Sequence, residues 1–209
     1  RKEVALVLSR IPKQEIENQS KKITESLAPL LQTCRNIACY VSMDVGEVDT
    51  EYLLRNLFDE GKIVYLPRCT TTKETGHVIL REKGKHHPHL TFHRIKSWQQ
   101  VQEMKPLGKF QLREPPQEHP PPLPAQLDVM LVPGVAFSTG NGGRLGHGCG
   151  YYDDFFRRYK LQHHGSKPLL IGLSLKEQVV NSVPVESHDQ GMDCIVTGDG
   201  GIHWAIPQK

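Results

Sequence analysis

Residues 127–162 constrain the fold more than any other part of the sequence, because a strand, a loop and a helix are predicted there in direct succession. The run LDVMLVPG (residues 127–134) is apolar and of strand length, which is typical of a strand buried on both faces of a parallel sheet. A loop with seven glycines from Gly134 to Gly150 follows. Beyond it, aromatic residues recur at helical spacing and predict a core-facing helix over residues 151–161; they are Tyr152, Phe155, Phe156 and Tyr159.

The rest of the chain shows the same alternation of apolar strands and helices. Strands are predicted at residues 37–43, 62–68, 168–175 and 194–197, and helices at residues 1–10, 13–31 and 50–60. Thr50 is a candidate N-cap for the last helix, and Gly61 a candidate end signal. Because crossover helices cover the faces of a parallel sheet, we expect an α/β fold. Its central sheet would be mainly parallel with helices on both faces, a Rossmann-like three-layer sandwich.

We expect a single domain over residues 1–209, which is long enough to bury a sizeable core. Residues from about 71 to 126 interrupt the pattern and are predicted as irregular hairpins followed by a proline-rich connection. The basic segment Arg81–Arg94 carries His86, His87, His89 and His93. Because Pro88 interrupts this run and no cysteine lies nearby, we interpret it as a solvated hairpin and not as a metal site. The first residues resemble a helix already under way, so we expect some N-terminal sequence to be missing.

Composition argues against several classes of function. The 26 Lys+Arg and 23 Asp+Glu residues give a formal charge of +3, which is no surplus for binding nucleic acid. The five cysteines are an odd number without a C-x-x-C pair, which favours a reducing compartment, the cytoplasm or the mitochondrial matrix. No apolar run reaches the roughly 18 residues of a membrane helix. We expect a monomer without nucleic-acid or membrane partners.

The glycine loop matches none of the common glycine motifs. It contains no G-x-x-x-x-G-K-[ST], no G-x-G-x-x-G and no G-x-S-x-G, so a P-loop, a dinucleotide fingerprint and a nucleophile elbow are all absent from it. Glycines also form plain sharp turns, but seven of them after one buried strand exceed that need. Backbone N–H groups and a helix N-terminus attract anions. We therefore predict phosphate binding, with Arg144 as the permanent cation inside the loop.

Two acids, Asp153 and Asp154, open the helix after the loop. Acids are common in a first turn simply because they oppose the helix dipole. Beside bound phosphates, however, a carboxylate repels the ligand unless a divalent cation lies between them. Magnesium is usually held by one or two carboxylates together with substrate phosphates. We predict Mg²⁺ at Asp153, with Asp189 as a candidate second ligand whose position the sequence does not fix.

The motif NGGRLGHGCGYYD (residues 141–153) resembles the signature of the 5-formyltetrahydrofolate cyclo-ligase family, also called 5,10-methenyltetrahydrofolate synthetases. Other segments resemble the family in the expected order, namely YVSMDVGEVDT, YLPR, LREP, DVMLVPGVAFS and VPVESHD. The resemblance implies an enzyme that uses magnesium-ATP to convert 5-formyltetrahydrofolate, with or without a polyglutamate tail, into 5,10-methenyltetrahydrofolate. ADP and phosphate would be released, and no protein nucleophile is needed.

The resemblance also implies roles for individual residues. The ATP-binding group is Arg1, Arg144, Leu145, Gly146, His147, Gly148, Cys149, Gly150, Tyr151 and Tyr152. The folate would lie between Val41, Met43 and Glu47 on one side and residues 146–151 on the other. Arg144, Tyr151 and Asp153 would act in catalysis, and Asp153 and Asp189 would bind the metal.

This chain departs from many relatives at His147 and Cys149, where those relatives carry Arg or Lys. A histidine has an unperturbed pKa of about 6.5, so bound phosphates would favour its charged form and make His147 a conditional cation. If His147 acts as this cation, the KM for ATP should rise between pH 6 and pH 8; the alternative is that His147 merely fills the loop. Cys149 is interpreted as a small spacer.

Two alternatives to the cyclo-ligase function differ in class. The first is a catalytically weak nucleotide- or folate-binding homologue of the same fold, for which the reduced charge of the loop is the only support. The second is another α/β enzyme, such as a sugar-phosphate isomerase, which would show no ATP-dependent folate turnover.

Overall fold

A computed structural model describes residues 1–43, 46–80, 88–108, 110–118, 124, 126–184 and 190–206. The strands are β1 (Asn36–Ala38), β2 (Ile63–Thr71), β3 (Pro88–Ile95), β4 (Pro106–Leu107), β5 (Leu112–Arg113), β6 (Val129–Val132), β7 (Ala136–Ser138), β8 (Gly143–Leu145), β9 (Leu169–Ser174), β10 (Cys194–Thr197) and β11 (Ile202–Trp204). The α-helices are α1 (Lys2–Leu8), α2 (Lys13–Leu31), α3 (Glu51–Asp59), α4 (Thr72–Thr75), α5 (Trp98–Gln102) and α6 (Tyr151–Gln162), with a 3₁₀ turn at Lys176–Gln178.

Seven strands form the central sheet in the order β11-β10-β9-β6-β1-β2-β3. The five strands from β10 to β2 are parallel, and the two edge strands, β11 and β3, pair antiparallel. The predicted mainly parallel sheet is confirmed. The chain leaves β1 toward β2 on one side and later continues from β6 toward β9 on the other, so the strand order reverses between β1 and β6. Ligands of open α/β sheets bind at such a reversal.

Side chains of the parallel strands alternate between two cores, because successive residues of a strand point to opposite faces. In β6, Val129 and Leu131 belong to the core under α2 and α3, while Met130 and Val132 belong to the core under α6. Phe155, Phe156 and Tyr159 of α6 are buried in the second core, as their helical spacing predicts. Helices therefore cover both faces of the sheet, which confirms the three-layer architecture.

The predicted strand at residues 37–43 is shorter than expected, since β1 ends at Ala38. Thr50 stands at the N-cap of α3, but within the described residues its side chain makes no cap hydrogen bond. Its hydroxyl instead donates to the Tyr40 carbonyl, 2.7 Å away, and accepts from the Ser42 N–H at 3.1 Å. The prediction that the Thr50 side chain caps the helix is therefore wrong. Its two hydrogen bonds instead hold the chain where it leaves β1.

The prediction of a solvated hairpin at Arg81–Arg94 is wrong for its second half. His89 and His93 lie in β3 and are each 1% exposed. Burial is possible because both rings have polar partners: His89 contacts Asp154, and His93 contacts Thr91 and Glu118. His86 and His87 lie outside the described residues. Among the residues that the structure describes, no helix is long and apolar enough to cross a membrane.

Candidate active site

A pocket of about 800 Å³ opens at the reversal of strand order. Residues that follow β1 form one wall, and the glycine loop with the first turn of α6 forms another. These two segments follow β1 and β6, which are adjacent and parallel strands, so both segments leave the sheet at the same edge. The pocket therefore lies where an α/β sheet is expected to bind its ligands.

Nearly all of the predicted site residues line this one pocket. They are Arg1, Val41, Met43, Glu47, Arg144, Leu145, Gly146, His147, Gly148, Cys149, Gly150, Tyr151, Tyr152 and Asp153. Residues 1, 41–47 and 144–153 are far apart in sequence, and the fold brings them together. Asp189 lies outside the described residues, so its role as a second metal ligand stays a prediction.

Other pocket residues were not predicted. They are Tyr40, Pro67, Cys69, Leu90, Phe110, Leu112, Arg113, Glu114, Pro133 and Pro184. Five of them come from β3 and the segment 110–114, within the region that was expected to be an irregular insertion. The Glu114 carboxylate accepts a hydrogen bond from the Cys69 N–H (2.8 Å), and Arg68 donates to the Pro115 carbonyl (2.8 Å). These contacts join two segments that resemble the family, YLPR and LREP. The presence of these two motifs was the sequence signal that could have indicated this part of the pocket.

The glycine loop is ordered by its own hairpin and by contacts with two other parts of the fold. Its first half is a hairpin of β7 and β8. Buried Gln178 donates to the Gly134 carbonyl at 2.6 Å, and the Gly142 carbonyl accepts from the Met192 N–H at 2.8 Å. Gly148 and Gly150 have φ of +100° and +73°, a left-handed conformation that favours glycine. These contacts fix the path of the loop to the start of α6.

Arg144 is held inside the pocket wall, with its side chain 5% exposed. Its guanidinium donates to the Asp153 carboxylate (3.2 Å) and to the Pro133 carbonyl (3.3 Å), and it lies 5.5 Å above the ring of Tyr152. Among the described residues its Nε has no hydrogen-bond partner, although that atom is buried. A buried N–H without a partner is costly, so the site retains an unused donor on its main cation.

Arg1 and His147 complete the polar wall around the loop. The Arg1 Nε donates to the Gly146 carbonyl at 3.0 Å, which brings a second permanent cation beside the one in the loop. Partial burial of the imidazole, together with the positive charges of Arg144 and Arg1, lowers the pKa of His147. In the absence of an anion, His147 is therefore neutral at pH 7, and the predicted window for its titration moves to lower pH.

The wall formed by the residues after β1 has a different chemistry. Glu47 is 7% exposed, and among the described residues its carboxylate accepts one long hydrogen bond, 3.4 Å from the Met43 N–H. Burial raises the pKa of Glu47 to about 8, so this carboxyl is largely protonated at neutral pH. Val41 and Met43 beside it are apolar and half-buried. This side suits a mostly apolar ligand with a few polar atoms.

Asp154 points away from the pocket into the contact between α6 and β3. It is 4% exposed and accepts from Arg158 twice (2.7 and 3.2 Å) and from His89 (3.2 Å). Burial by itself would raise the pKa of Asp154, but the hydrogen bonds from His89 and Arg158 outweigh it and lower the pKa. His77 extends the network through a 2.7 Å contact with His89. Asp154 therefore has a structural environment.

Within the described residues no group of three or more His, Cys, Asp or Glu side chains gathers that could hold a metal ion. The Asp153 side chain is 14% exposed, lines the pocket and pairs with Arg144. One carboxylate beside an anion-binding loop fits Mg²⁺, which commonly takes its remaining ligands from phosphates and water.

Comparison with known proteins gives consistent results along the whole chain. Residues 1–198 match the sequence model of the 5-formyltetrahydrofolate cyclo-ligase family. The 5-formyltetrahydrofolate cyclo-ligase of Saccharomyces cerevisiae is 50% identical over 207 residues, which cover 98% of this chain and 96% of the yeast protein. The protein of the same name from Escherichia coli K12 is 29% identical over 92% of this chain and 94% of its own.

Solved structures agree with the sequence comparison. The NMR structure of Aquifex aeolicus 5,10-methenyltetrahydrofolate synthetase has a TM-score of 0.71 and 25% identity, covering 100% of this chain and 92% of that one. The 5,10-methenyltetrahydrofolate synthetase of Mycoplasma pneumoniae shares the fold, with a TM-score of 0.62 at 20% identity over 93% of both chains. This chain belongs to the 5-formyltetrahydrofolate cyclo-ligase family.

Proposed function

We propose that this chain catalyses the ATP- and Mg²⁺-dependent conversion of 5-formyltetrahydrofolate into 5,10-methenyltetrahydrofolate, with release of ADP and phosphate. The observation that carries the proposal is the division of one pocket into two chemically different walls. One wall holds Arg1, Arg144 and the glycine loop, and the other holds Val41, Met43 and Glu47. A site for two substrates, the polyanionic ATP and a folate whose ring system packs against apolar side chains, needs this division.

The triphosphate of ATP is assigned to the glycine-loop wall. The Arg144 guanidinium is already oriented by Asp153 and Pro133, so little conformational entropy is lost when it binds an anion. The N-terminus of α6 adds a partial positive charge at the same place.

The reduced folate is assigned to the wall that follows β1. Its ring system is placed against Val41, Met43 and Glu47, with the reacting formyl group directed toward the loop. Arg113 lies in this part of the pocket, since its guanidinium is 3.4 Å from the Ser42 carbonyl. A half-buried arginine can bind a carboxylate with two hydrogen bonds. We assign Arg113 to the glutamate carboxylates of the folate, including those of a polyglutamate tail.

The reaction proceeds by phosphoryl transfer and ring closure. The formyl oxygen attacks the γ-phosphorus of ATP, the bond to ADP breaks, and an iminium phosphate forms. The neighbouring folate nitrogen then attacks the formyl carbon and loses its proton, and the carbon–oxygen bond breaks with release of phosphate. Both steps need the two substrates to be held in contact, and both develop charge that Arg144 and the loop amides stabilise.

Mg²⁺ would be held by Asp153 and the phosphates, with Asp189 as a proposed second carboxylate. When bound, it supplies positive charge between Asp153 and the transferred phosphoryl group. Asp153 also positions Arg144 through their shared hydrogen bond. Asp153 therefore has two roles, binding the metal and orienting Arg144, and a neutral side chain cannot perform both.

The experiment that tests the proposal follows the absorbance of the methenyl product, with and without magnesium-ATP. We expect product only when 5-formyltetrahydrofolate, ATP and Mg²⁺ are all present. Binding of both substrates without turnover would contradict the enzyme function and support the non-catalytic homologue. Asp153→Asn should lower turnover at limiting Mg²⁺ and recover part of it at high Mg²⁺.

A further inference from the structure

Two buried side-chain atoms lack a hydrogen-bond partner in the part of the chain that the structure describes, the Tyr40 hydroxyl and the Arg144 Nε. Both residues line the same pocket. Folded proteins rarely leave buried polar groups unpaired, because each one costs stability, and such groups call for a specific explanation. For Arg144 the explanation is the proposed binding of phosphate by its wall of the pocket. The Tyr40 hydroxyl has none in the mechanism described above.

We propose, on the basis of the function proposed above, that the Tyr40 hydroxyl is a further substrate-binding group, which donates a hydrogen bond to an acceptor atom of the folate ring system. The position of the residue supports this assignment. Tyr40 immediately precedes Val41 and shares its wall with Met43 and Glu47. The residues assigned to the phosphates belong to the glycine-loop wall.

The backbone of Tyr40 is fixed, so the hydroxyl has a defined position. The Tyr40 carbonyl accepts from the Thr50 hydroxyl at 2.7 Å, and the preceding Cys39 N–H donates to the Tyr65 carbonyl at 2.9 Å. Tyr40 is 3% exposed and lines the pocket, and its hydroxyl is buried. Contact with the substrate therefore requires a side-chain shift in the pocket lining.

The hydroxyl remains a donor under all ordinary conditions. Burial, reinforced by the nearby carboxyl of Glu47, raises the pKa of Tyr40 well above its usual value. The O–H group next to the Glu47 carboxyl gives this wall one fixed donor and one group that can accept or donate. A ring edge that carries both a carbonyl and N–H groups is complementary to such a pair.

Tyr40→Phe tests the proposal, and Tyr159→Phe is a matched control. Tyr159 is also 3% exposed, but its hydroxyl has a partner, the Leu127 N–H at 2.8 Å. Calorimetric binding of 5-formyltetrahydrofolate and of ATP would be measured for both variants, together with unfolding by urea in the absence of ligands.

We expect Tyr40→Phe to weaken folate binding by roughly tenfold, about the worth of one hydrogen bond, with ATP binding unchanged. Its stability should equal or exceed that of the wild type, because no native hydrogen bond is lost. Tyr159→Phe should show the reverse, a loss of stability with unchanged folate binding.

Three outcomes would overturn the proposal. Unchanged folate binding in Tyr40→Phe would show that the hydroxyl does not contact this substrate. Weaker ATP binding would move the hydroxyl to the nucleotide site. A loss of stability as large as that of Tyr159→Phe would show a structural role. A wild-type protein that binds folate without forming product would contradict the proposed function and leave this proposal intact.

Discussion

Asp153 and Asp154 are neighbours in the first turn of α6, but the two faces of that turn differ in how their polar groups are paired. Asp154 accepts three hydrogen bonds of 3.2 Å or less, from His89 and Arg158. Asp153 accepts one at 3.2 Å from Arg144 and one at 3.4 Å from the Gln190 N–H. Behind the helix the described polar groups are saturated, whereas on the pocket side the Nε of Arg144 lacks a partner.

The difference shows how one helix serves two purposes. The saturated face joins α6 to β3, and so it fixes the helix that carries Tyr151, Tyr152 and Asp153 into the pocket. The unsaturated face keeps donors and a carboxylate available for substrates and metal. Stability and ligand binding should therefore respond separately to substitutions on the two faces, and the predictions that follow are arranged from the largest expected effect to the smallest.

Asp154→Asn should cause the largest loss of stability, about 3 kcal/mol, because it leaves Arg158 and His89 without a charged partner in a buried site. Urea denaturation at pH 7 would measure it. The low pKa of Asp154 means that its contribution is present above its unfolded pKa of about 3.9 and is lost as pH falls through the lower folded value. The difference in the free energy of unfolding between wild type and variant should therefore shrink below pH 4. A variant as stable as the wild type at pH 7 would remove the structural role.

Arg144→Lys should lower kcat/KM for ATP by about 100-fold. The lysine ammonium is a point charge and cannot form the paired hydrogen bonds of the guanidinium, and each lost hydrogen bond to a charged group is worth about 1.5–3 kcal/mol. Binding of 5-formyltetrahydrofolate should change little. Steady-state kinetics for ATP and calorimetry for the folate would measure the two effects. An equal loss for both substrates would mean that Arg144 supports the loop and not the phosphates.

Glu47→Gln should change how stability depends on pH. Because the folded pKa of Glu47, about 8, is far above the unfolded value of 4.5, the native state binds the proton more strongly. The wild type should lose stability relative to the variant as pH rises from 4.5 to 8, and the difference should be constant above that range. Urea denaturation at pH 5, 6.5 and 8 would measure it. Parallel curves for the two proteins would place Glu47 in a more solvated site.

His147→Arg should have the smallest effect at pH 7 and the clearest one on the pH profile. Since burial and the two neighbouring arginines lower the pKa of His147, the free enzyme should gain affinity for ATP only as pH falls below 6.5. The arginine variant should not show this change, and Cys149→Gly should retain it. A wild-type profile of kcat/KM for ATP as flat as that of His147→Arg would show that His147 supplies no charge.

Sequence patterns predict the parts of the fold that are locally determined. The strand β6, the glycine loop and α6 follow from residues that are close in the chain, and α2 was predicted with its observed bounds. The edge strand β3 was missed because His89 and His93 are polar by composition. Their burial depends on Asp154, Thr91 and Glu118, and two of these partners lie more than twenty residues away.

The site was predictable to the same extent. The glycine loop and the segment after β1 carry distinctive residue patterns, and the structure places both in one pocket. The segment 110–114 overlaps the short LREP motif, and Tyr40 opens the family-like segment YVSMDVGEVDT, but neither motif predicts that these side chains reach the pocket. Their positions depend on long-range contacts, such as the hydrogen bond between Glu114 and Cys69.

The most direct test of the separation between the two faces is the unfolding of Asp153→Asn and Asp154→Asn, with and without saturating magnesium-ATP. A ligand that binds only the native state raises stability according to its affinity. Asp153→Asn should lose only about 1 kcal/mol without ligand, but it should lose most of the stabilisation by magnesium-ATP. Asp154→Asn should be much less stable without ligand and should retain that stabilisation. Equal changes in the two variants, in either condition, would contradict the account.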